Sequence, residues 1–506
     1  MALSDIKQRT FKPNWRSPQK TILNGELDVV VNYPQKGVPA SIESYIEDWG
    51  KNHSLIYAGE LLGAAVTNNC EIKGPVAEAA DFILSSNQLG IGDPLYDLAN
   101  TLIGDNSNNN QVGDRENMIP SLSDYSNKIR EKVHLKRELV RQAPYNAIRR
   151  MELARFYILN GQREKACEEA AISVHLAPNN RYISRSAVRC FIHNHDYERA
   201  HWVLSANRTL KTDPWLLATD ISVDLIRKKN PRNALTAGRV VKNNNFSPRS
   251  ITETSIALAL LEFYNGGRLK TIRDYVRKAL VAPIDNSMAQ AQWLSKIYPG
   301  INLSEFDTSH IRFNYEIETY KSINNSEFSH AYLNALQWLQ DSGYSHRAAV
   351  TASNLAATFL NETENSIAIL DIALLANPGS PILLNNLVYQ LLMNGELERA
   401  EKEISKVDYG LDIPQETLTC LKATNGLLNF KKGNYELGET CYLEAIEMAH
   451  HNHDIRYEDV ARLNLYREKA MAHIITKQEA LEYISKIKAS DISVSQQIIN
   501  AINILS

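Results

Sequence analysis

The sequence predicts an all-α solenoid, in which short helix pairs are stacked along one axis. Alanine recurs at an interval of 34 residues, at Ala166, Ala200 and Ala234. An interval of this length is typical of a repeated helix-turn-helix unit. The 506 residues of the chain exceed one ordinary globular domain, but a solenoid reaches such a length by adding units without enlarging a single core.

Within one interval, two amphipathic helices are predicted around a glycine turn. Apolar residues recur with helical spacing on both sides of Gly161. A glycine here can adopt the left-handed conformation that ends the first helix, which costs a residue with a Cβ about 1 kcal/mol. Three turns place such a glycine five residues before a small residue that lets the paired helices approach: Gly161 with Ala166, Gly395 with Ala400, and Gly433 with Gly438.

Prolines follow the predicted second helices at a similar interval. Because proline has no backbone N–H to donate to the preceding turn, we expect each of them to end a second helix. These prolines are Pro178, Pro214, Pro248, Pro283 and Pro378.

This pattern resembles the tetratricopeptide repeat (TPR) family, which has a small residue at repeat position 8, a large apolar residue at 11, alanine at 20 and proline near 32. The resemblance is clearest over 147–248 and 381–450 and is weaker over 249–283, 347–380 and 456–490. It implies a right-handed superhelix with a concave groove, and a protein that binds other macromolecules.

The regularity of the repeats divides the chain into five parts. The first part is either a set of degenerate repeats or a distinct helical domain. In chain order the parts are a mainly helical region with a short hairpin at Asn24-Gly25 (1–103), a polar linker or loop (104–117), basic repeats (118–283), an irregular helical connector (284–346), and acidic repeats with a closing helix (347–506).

The composition favours a cytoplasmic protein with no membrane-spanning segment. The first 18 residues lack the apolar stretch of a secretory signal, and no run of 18 uncharged apolar residues occurs. The five cysteines are odd in number and form no C-x-x-C pair. We therefore expect reduced thiols in place of disulfides or a metal site.

Charge is distributed unevenly along the chain. Residues 128–278 hold 29 Lys and Arg against 14 Asp and Glu, although the whole chain has a net charge of −3. A basic middle between acidic ends points to an acidic partner, to nucleic acid or to a phosphorylated ligand. The alternative is that these side chains solvate the outer helices and that the halves attract one another.

The resemblance to the TPR family implies which basic residues line the groove. In that family the groove is formed mainly by the first helix of each pair, at repeat positions 2, 5, 9, 12 and 13. The corresponding partner-binding residues here are Arg155, Tyr182, Arg185, Arg189, His193 and Arg227.

Arg155 and Arg189 occupy the same position in successive repeats, so we expect them on adjacent helices. Their planar donor groups suit carboxylate or phosphate oxygens. The family's clamp for a chain-terminal carboxylate uses lysine at position 5 and asparagine at position 9 of its first repeat. Met151 and Arg155 stand at those positions, so that ligand is not predicted.

The acidic repeats present a different groove in the same phase. Asn385, Tyr389 and Phe430 fall on its lining, among mostly apolar neighbours. Such a surface suits an amphipathic helix or an extended segment of a partner. The alternative is that these side chains pack against the next repeat as core.

Sequence motifs for catalysis are absent. No P-loop, dinucleotide-binding glycine motif, zinc-protease motif or nucleophile elbow is present. Histidine and aspartate occur together at 193–196 and 450–454, but both strings fall at predicted turns between helices, where polar residues are common. The sequence therefore predicts no catalytic residue, no cofactor and no metal.

These features predict a non-enzymatic scaffold or adaptor that holds an acidic or phosphorylated protein partner on its basic repeats, within a multi-protein complex. The alternative is an RNA- or DNA-associated protein that binds backbone phosphate through 128–278 without base readout. A third hypothesis is an enzyme with its activity in 1–103, regulated by the repeats. Self-association is expected through the irregular terminal repeats.

Overall fold

A computed structural model describes residues 9, 11–26, 42–67, 70, 72–87, 90, 93–107, 121–243, 246–298, 300–303, 308, 311–410 and 413–506. In this part of the chain the regular structure consists of 26 α-helices and one π-helical turn, and no strand is present. The predicted all-α fold class is confirmed.

The helices follow one another with short connections. In chain order they are α1 (Pro18–Leu23), α2 (Ile42–Lys51), α3 (Leu55–Thr67), α4 (Pro75–Ser85), α5 (Pro94–Ser107), α6 (Leu122–Gln142), α7 (Ala147–Leu159), α8 (Arg163–Leu176), α9 (Arg181–His193), α10 (Tyr197–Ala206), α11 (Pro214–Ile226), α12 (Ala234–Lys242), α13 (Pro248–Tyr264), α14 (Leu269–Ala279), α15 (Asp285–Ile297), α16 (Tyr315–Asn324), α17 (Phe328–Asp341), α18 (His346–Asn354) with its π-helical turn (Leu355–Phe359), α19 (Thr363–Ala376), α20 (Pro381–Met393), α21 (Leu397–Ile404), α22 (Gln415–Lys431), α23 (Tyr435–His451), α24 (Ile455–Met471), α25 (Lys477–Ser485) and α26 (Ile492–Leu505).

Helices pack in TPR-like pairs through the basic repeats, where α7 to α14 form four of them. Each first helix begins at a polar residue whose side-chain oxygen accepts a hydrogen bond from a backbone N–H of the first turn, which satisfies a donor that the helix leaves free. These capping residues are Asn146, Asn180, Asp213 and Ser247. Ala166 and Ala200 are fully buried between the paired helices.

The turns within pairs use the left-handed conformation, as predicted. Gly161, Gly395 and Gly433 have φ angles of 71°, 82° and 81°. His195, between α9 and α10, and His453, between α23 and α24, adopt the same conformation, with φ angles of 60° and 54°. The two histidine strings are therefore helix-ending turns, built without glycine.

The prediction that every proline ends a second helix is wrong for Pro214 and Pro248. They are the first residues of α11 and α13, whereas α10 and α12 end earlier, at Ala206 and Lys242. A first-turn position suits proline because its φ angle is already helical and its missing N–H has no intrahelical acceptor there. The other three lie in turns after second helices: Pro178, Pro283 and Pro378.

The predicted hairpin at Asn24-Gly25 is also wrong, because the residues before it are helical. Asn24 ends α1, and Gly25, at a φ angle of 68°, donates its N–H to the carbonyl of Ile22. Residues 27–41 lie outside the described part. Helices α2 to α5 share an apolar core that also includes Leu23 of α1 and Phe313. Helix α5 extends to Ser107, and the rest of the predicted linker lies outside the described residues.

The acidic half returns to the basic half, so that the chain closes on itself. Helix α19 packs against α6 and α7. At the α7–α8 turn, a Cβ on Gly161 would lie 2.8 Å from the carbonyl oxygen of Leu375. A Cβ on Gly343 would lie 3.0 Å from the side chain of Leu159. These contacts bring the turn before α18 and the end of α19 against α7.

Helices α22 and α23 approach through two glycines. A Cβ on Gly438 would lie 2.6 Å from the ring of Phe430 and 3.0 Å from the carbonyl oxygen of Gly426. We expect Gly438→Val to lower the free energy of unfolding by about 1–3 kcal/mol through overpacking, measured by urea denaturation. The control is Gly63→Ala on α3, where a Cβ meets nothing within 4 Å, and it should leave stability unchanged or raise it. Equal stability of Gly438→Val and wild type would contradict the close approach.

Candidate binding groove

The chain's own N-terminal strap, defined here as residues 9 and 11–26, covers the face formed by the first helices α9, α11 and α13 of the basic repeats, which we call the groove. Phe11 and Trp15 are each only 1% exposed. Phe11 lies in the apolar cluster formed by α11 to α16. Trp15 packs against Tyr344, with ring centroids 6.0 Å apart. These two buried aromatic side chains therefore anchor the strap in the groove.

Two tyrosines each bind both backbone groups of one strap residue. The hydroxyl of Tyr344 accepts a hydrogen bond from the N–H of Trp15 at 2.9 Å and donates to its carbonyl at 3.2 Å. The hydroxyl of Tyr264 accepts from the N–H of Arg9 at 2.8 Å and donates to its carbonyl at 2.7 Å. These side chains thus supply the backbone hydrogen bonds that a segment without helix or strand would otherwise lack.

Charged side chains form a buried network around Arg16. Its guanidinium lies 2.7 Å from Asp285 and 2.6 Å from Asp341, with Glu26 at 3.7 Å. Burial on its own would raise the pKa of Asp341, but the nearby charge of Arg16 holds that pKa below its usual range. Arg16 thus keeps a buried carboxylate ionised.

The network continues into α9 and α13 through Arg185. Its guanidinium lies 3.0 Å from Glu26 and 2.6 Å from Glu253. Burial raises the pKa of Glu253 to about 7, although the charge of Arg185 opposes the shift. Two further strap cations are paired. Arg9 lies 2.5 Å from Glu316, and Lys20 lies 3.2 Å from Asp341.

The expected open basic groove is therefore wrong at Tyr182 and Arg185. Tyr182 donates its hydroxyl hydrogen to the carbonyl of Arg16 at 3.0 Å, and Arg185 is 4% exposed and bound to two carboxylates. The strap covers both side chains. Arg227 is also neutralised, at 2.8 Å from Glu198 and 3.3 Å from Asp224.

Arg155 and Arg189 have no salt bridge to a carboxylate in the described part of the chain. The guanidinium of Arg155 lies 4.9 Å from the ring centroid of Phe156, and its Nε is buried without a hydrogen-bond partner. The guanidinium of Arg189 lies 4.6 Å from the ring centroid of Tyr344. Burial lowers the pKa of Arg189. Each of the two guanidinium groups therefore lies against an aromatic ring.

His193 belongs to the contact between the two halves. Its Nε2 lies 2.9 Å from the carbonyl oxygen of Ala376 at the end of α19, and its ring meets Tyr344 edge-on at 6.1 Å. Burial, followed by the charge of Arg189, lowers the pKa of His193 to about 3. The imidazole is therefore neutral at pH 7 and joins the basic and acidic repeats.

Two lysines on α6 extend the positive surface around Arg155. Lys128 and Lys132 are exposed, and the amino group of Lys132 lies 5.8 Å from the ring centroid of Phe156. We call Lys128, Lys132 and Arg155 the α6–α7 cluster. Partial burial and neighbouring positive charges lower the pKa of Lys132, the charges being those of Arg155, Lys128 and Lys136. No carboxylate in the described part of the chain forms a salt bridge with the α6–α7 cluster, whereas the neighbouring Lys136 pairs with Glu152 at 3.0 Å.

The predicted apolar groove of the acidic repeats is packed as core, which is the alternative stated for it. Asn385 is 1% exposed and accepts a hydrogen bond from the Thr424 hydroxyl at 2.9 Å. Tyr389 donates its hydroxyl hydrogen to Asn464 at 3.3 Å. Phe430 is buried against Tyr442. These side chains are therefore used in packing between neighbouring helices of the acidic repeats.

The described residues contain neither a metal-binding cluster nor a membrane-spanning helix. No three His, Cys, Asp or Glu side chains in that part of the chain gather closely enough to hold a metal ion. None of its helices combines the length and apolar character needed to cross a bilayer.

Solved structures that resemble this chain are distant in sequence, and two of them are named here. No family model matches the sequence, and no curated protein matches it. Yeast Tom70 is 12% identical over 76% of this chain and 94% of its own, at a TM-score of 0.32. The human IFIT1 dimer with m7Gppp-AAAA is 14% identical over 76% of this chain and 93% of its own, at a TM-score of 0.36. The TPR-like architecture therefore rests on the helix pairs described above.

Proposed function

We propose that the chain is a non-enzymatic adaptor that binds an acidic or phosphorylated protein through the α6–α7 cluster. One observation supports this proposal. Lys128, Lys132 and Arg155 have no carboxylate partner among the described residues, whereas Arg185 and Arg227 are paired within the chain.

A ligand anion would relieve the repulsion within this cluster. Lys132 and Arg155 share the ring of Phe156, so their positive charges are held close together. Charges at a partly buried surface interact more strongly than fully solvated ones. Phosphate or carboxylate oxygens suit both the fork of Arg155 and the point charge of the lysines.

RNA or DNA is the second candidate partner, and it is favoured by a separate exposed surface. Lys228, Lys229 and Arg232, in the turn between α11 and α12, are exposed and have no salt bridge in the described part. A nucleic acid would need several such positive groups along its backbone. Binding through six or more duplex phosphates should give a slope of about −5 or steeper for log affinity against log salt.

The test compares two variants of equal charge change. We expect Lys128→Glu/Lys132→Glu to weaken binding of an acidic, phosphoserine-containing peptide at least tenfold, measured by fluorescence anisotropy. The matched control, Lys229→Glu/Arg232→Glu, should leave peptide binding unchanged. Unchanged peptide binding in the α6 variant would contradict the adaptor proposal. Loss of duplex binding in the control variant, with a steep salt dependence, would support the nucleic-acid candidate.

A further inference from the structure

The N-terminal strap is held in the way that a protein holds a bound peptide. Residues 11–17 form no helix or strand, and side chains of the repeats and of the connector bind backbone groups of the strap. In addition to the tyrosine contacts, Asn286 donates to the carbonyl of Lys12 at 3.1 Å, and Arg249 donates to the carbonyl of Asn24 at 2.7 Å. Backbone contacts of this kind bind an extended segment largely irrespective of its side chains.

Charge complementarity then sets which side chains fit. The strap presents Arg9, Arg16 and Lys20. The connector helices α15, α16 and α17 present the opposing carboxylates, which are Asp285, Glu316 and Asp341. The groove is therefore acidic on the side formed by the connector. The charge count of the basic repeats predicts a basic groove instead.

Two carboxylates of the groove have a basic partner that does not belong to the strap. Glu253 retains Arg185 at 2.6 Å, and Glu316 retains its salt bridge to Arg347. Asp285 and Asp341 are the carboxylates that depend on strap cations, since Arg16 contacts both of them. An empty groove would therefore present two carboxylates to an incoming cation.

We propose that this groove is a peptide-binding site for an extended, cationic and aromatic segment, and that the N-terminal strap is its ligand held in cis. A partner segment with the pattern Phe-x-x-x-Trp-Arg, as in Phe11 to Arg16, exchanges with the strap. Phe11 and Trp15 fill apolar pockets, and Arg16 binds the carboxylate pair. This inference does not depend on the α6–α7 cluster, for which an anionic ligand is proposed above.

The strap has a large advantage over any free peptide while it stays attached. A ligand tethered in cis acts at an effective concentration on the order of millimolar. A free peptide of residues 9–26 with a Kd of about 10 μM would therefore bind the intact chain about 100-fold more weakly than it binds a chain whose strap has been detached. Detachment after folding makes this difference measurable.

The experiment uses the full chain with a protease recognition sequence inserted between residues 26 and 42, cut after purification. A fluorescent peptide of residues 9–26 is added to cut and uncut protein, and its anisotropy is measured. We expect binding to the cut chain about 100-fold tighter than to the uncut chain, with release of the cleaved N-terminal fragment. The peptide carrying Trp15→Ala and Arg16→Ala should bind the cut chain at least tenfold more weakly than the unaltered peptide.

Two results would overturn the proposal. One is a cleaved fragment that millimolar peptide cannot displace, which would make the strap a permanent part of the core. The other is a fragment that dissociates on cutting while the free peptide fails to bind, which would show that the groove has no affinity of its own. Neither result bears on binding of the acidic peptide by the α6–α7 cluster, so the two proposals fail separately.

Discussion

Replacing Arg16 by methionine is expected to lower the free energy of unfolding by about 3–5 kcal/mol. Methionine keeps much of the volume but leaves Asp285 and Asp341 buried without their main cation. An uncompensated buried carboxylate is far more costly than the loss of one exposed ion pair. Urea denaturation followed by circular dichroism measures the change.

A matched substitution at the surface provides the control. Arg141 pairs with Glu138 on α6, with the arginine side chain 64% exposed, so Arg141→Met should cost less than about 1 kcal/mol. Adding Asp341→Asn to Arg16→Met should recover part of the loss, because it removes one of the stranded charges. Equal effects of the two arginine substitutions would show that the network around Arg16 does not stabilise the fold.

Stability is expected to fall in acid because of His193, by about 2 kcal/mol at pH 5. The pKa of His193 is lowered from 6.5 to about 3 by burial. Below pH 6.5 the unfolded side chain therefore binds a proton that the folded one does not. The stabilising contribution is complete above pH 6.5 and is lost progressively as the pH falls toward 3.

The measurement is the difference in free energy of unfolding between pH 7 and pH 5. His193→Gln should show a smaller loss than wild type by about 2 kcal/mol, since glutamine does not titrate. His451→Gln, at a side chain 73% exposed, should behave as wild type. Identical pH dependence in wild type and His193→Gln would show that His193 does not cause the loss of stability in acid.

The features that the sequence predicts well are local. The turn at Gly161 depends on a conformational preference of one residue, and the 34-residue interval repeats it. Helix pairing depends on neighbours within one repeat. The error at Pro214 is local as well, because proline suits both the place after a helix and its first turn, and only the observed helix ends distinguish them.

The strap could not be predicted, because its contacts cross most of the chain. Arg16 and Asp341 are 325 residues apart, and an ion pair at that separation leaves no periodic trace in one sequence. The excess of Lys and Arg over 128–278 gives the number of positive charges in this segment. It does not tell which of them face solvent and which face carboxylates. Arg185 and Lys128 count equally in it, although one is enclosed by carboxylates and the other faces solvent.

The separation between the strap and its partners also has a consequence during synthesis. Ribosomes add about 5–20 residues per second, so Asp341 follows Arg16 by about 16–65 s, given the 325 residues between them. Phe11 and Trp15 stay without their full binding surface until the connector has followed, and the pairs α7 to α14 are added before Asp341 appears. The strap therefore leaves the ribosome well before its partners and is among the last segments to reach its final place, which exposes two aromatic side chains to chaperones in the interval.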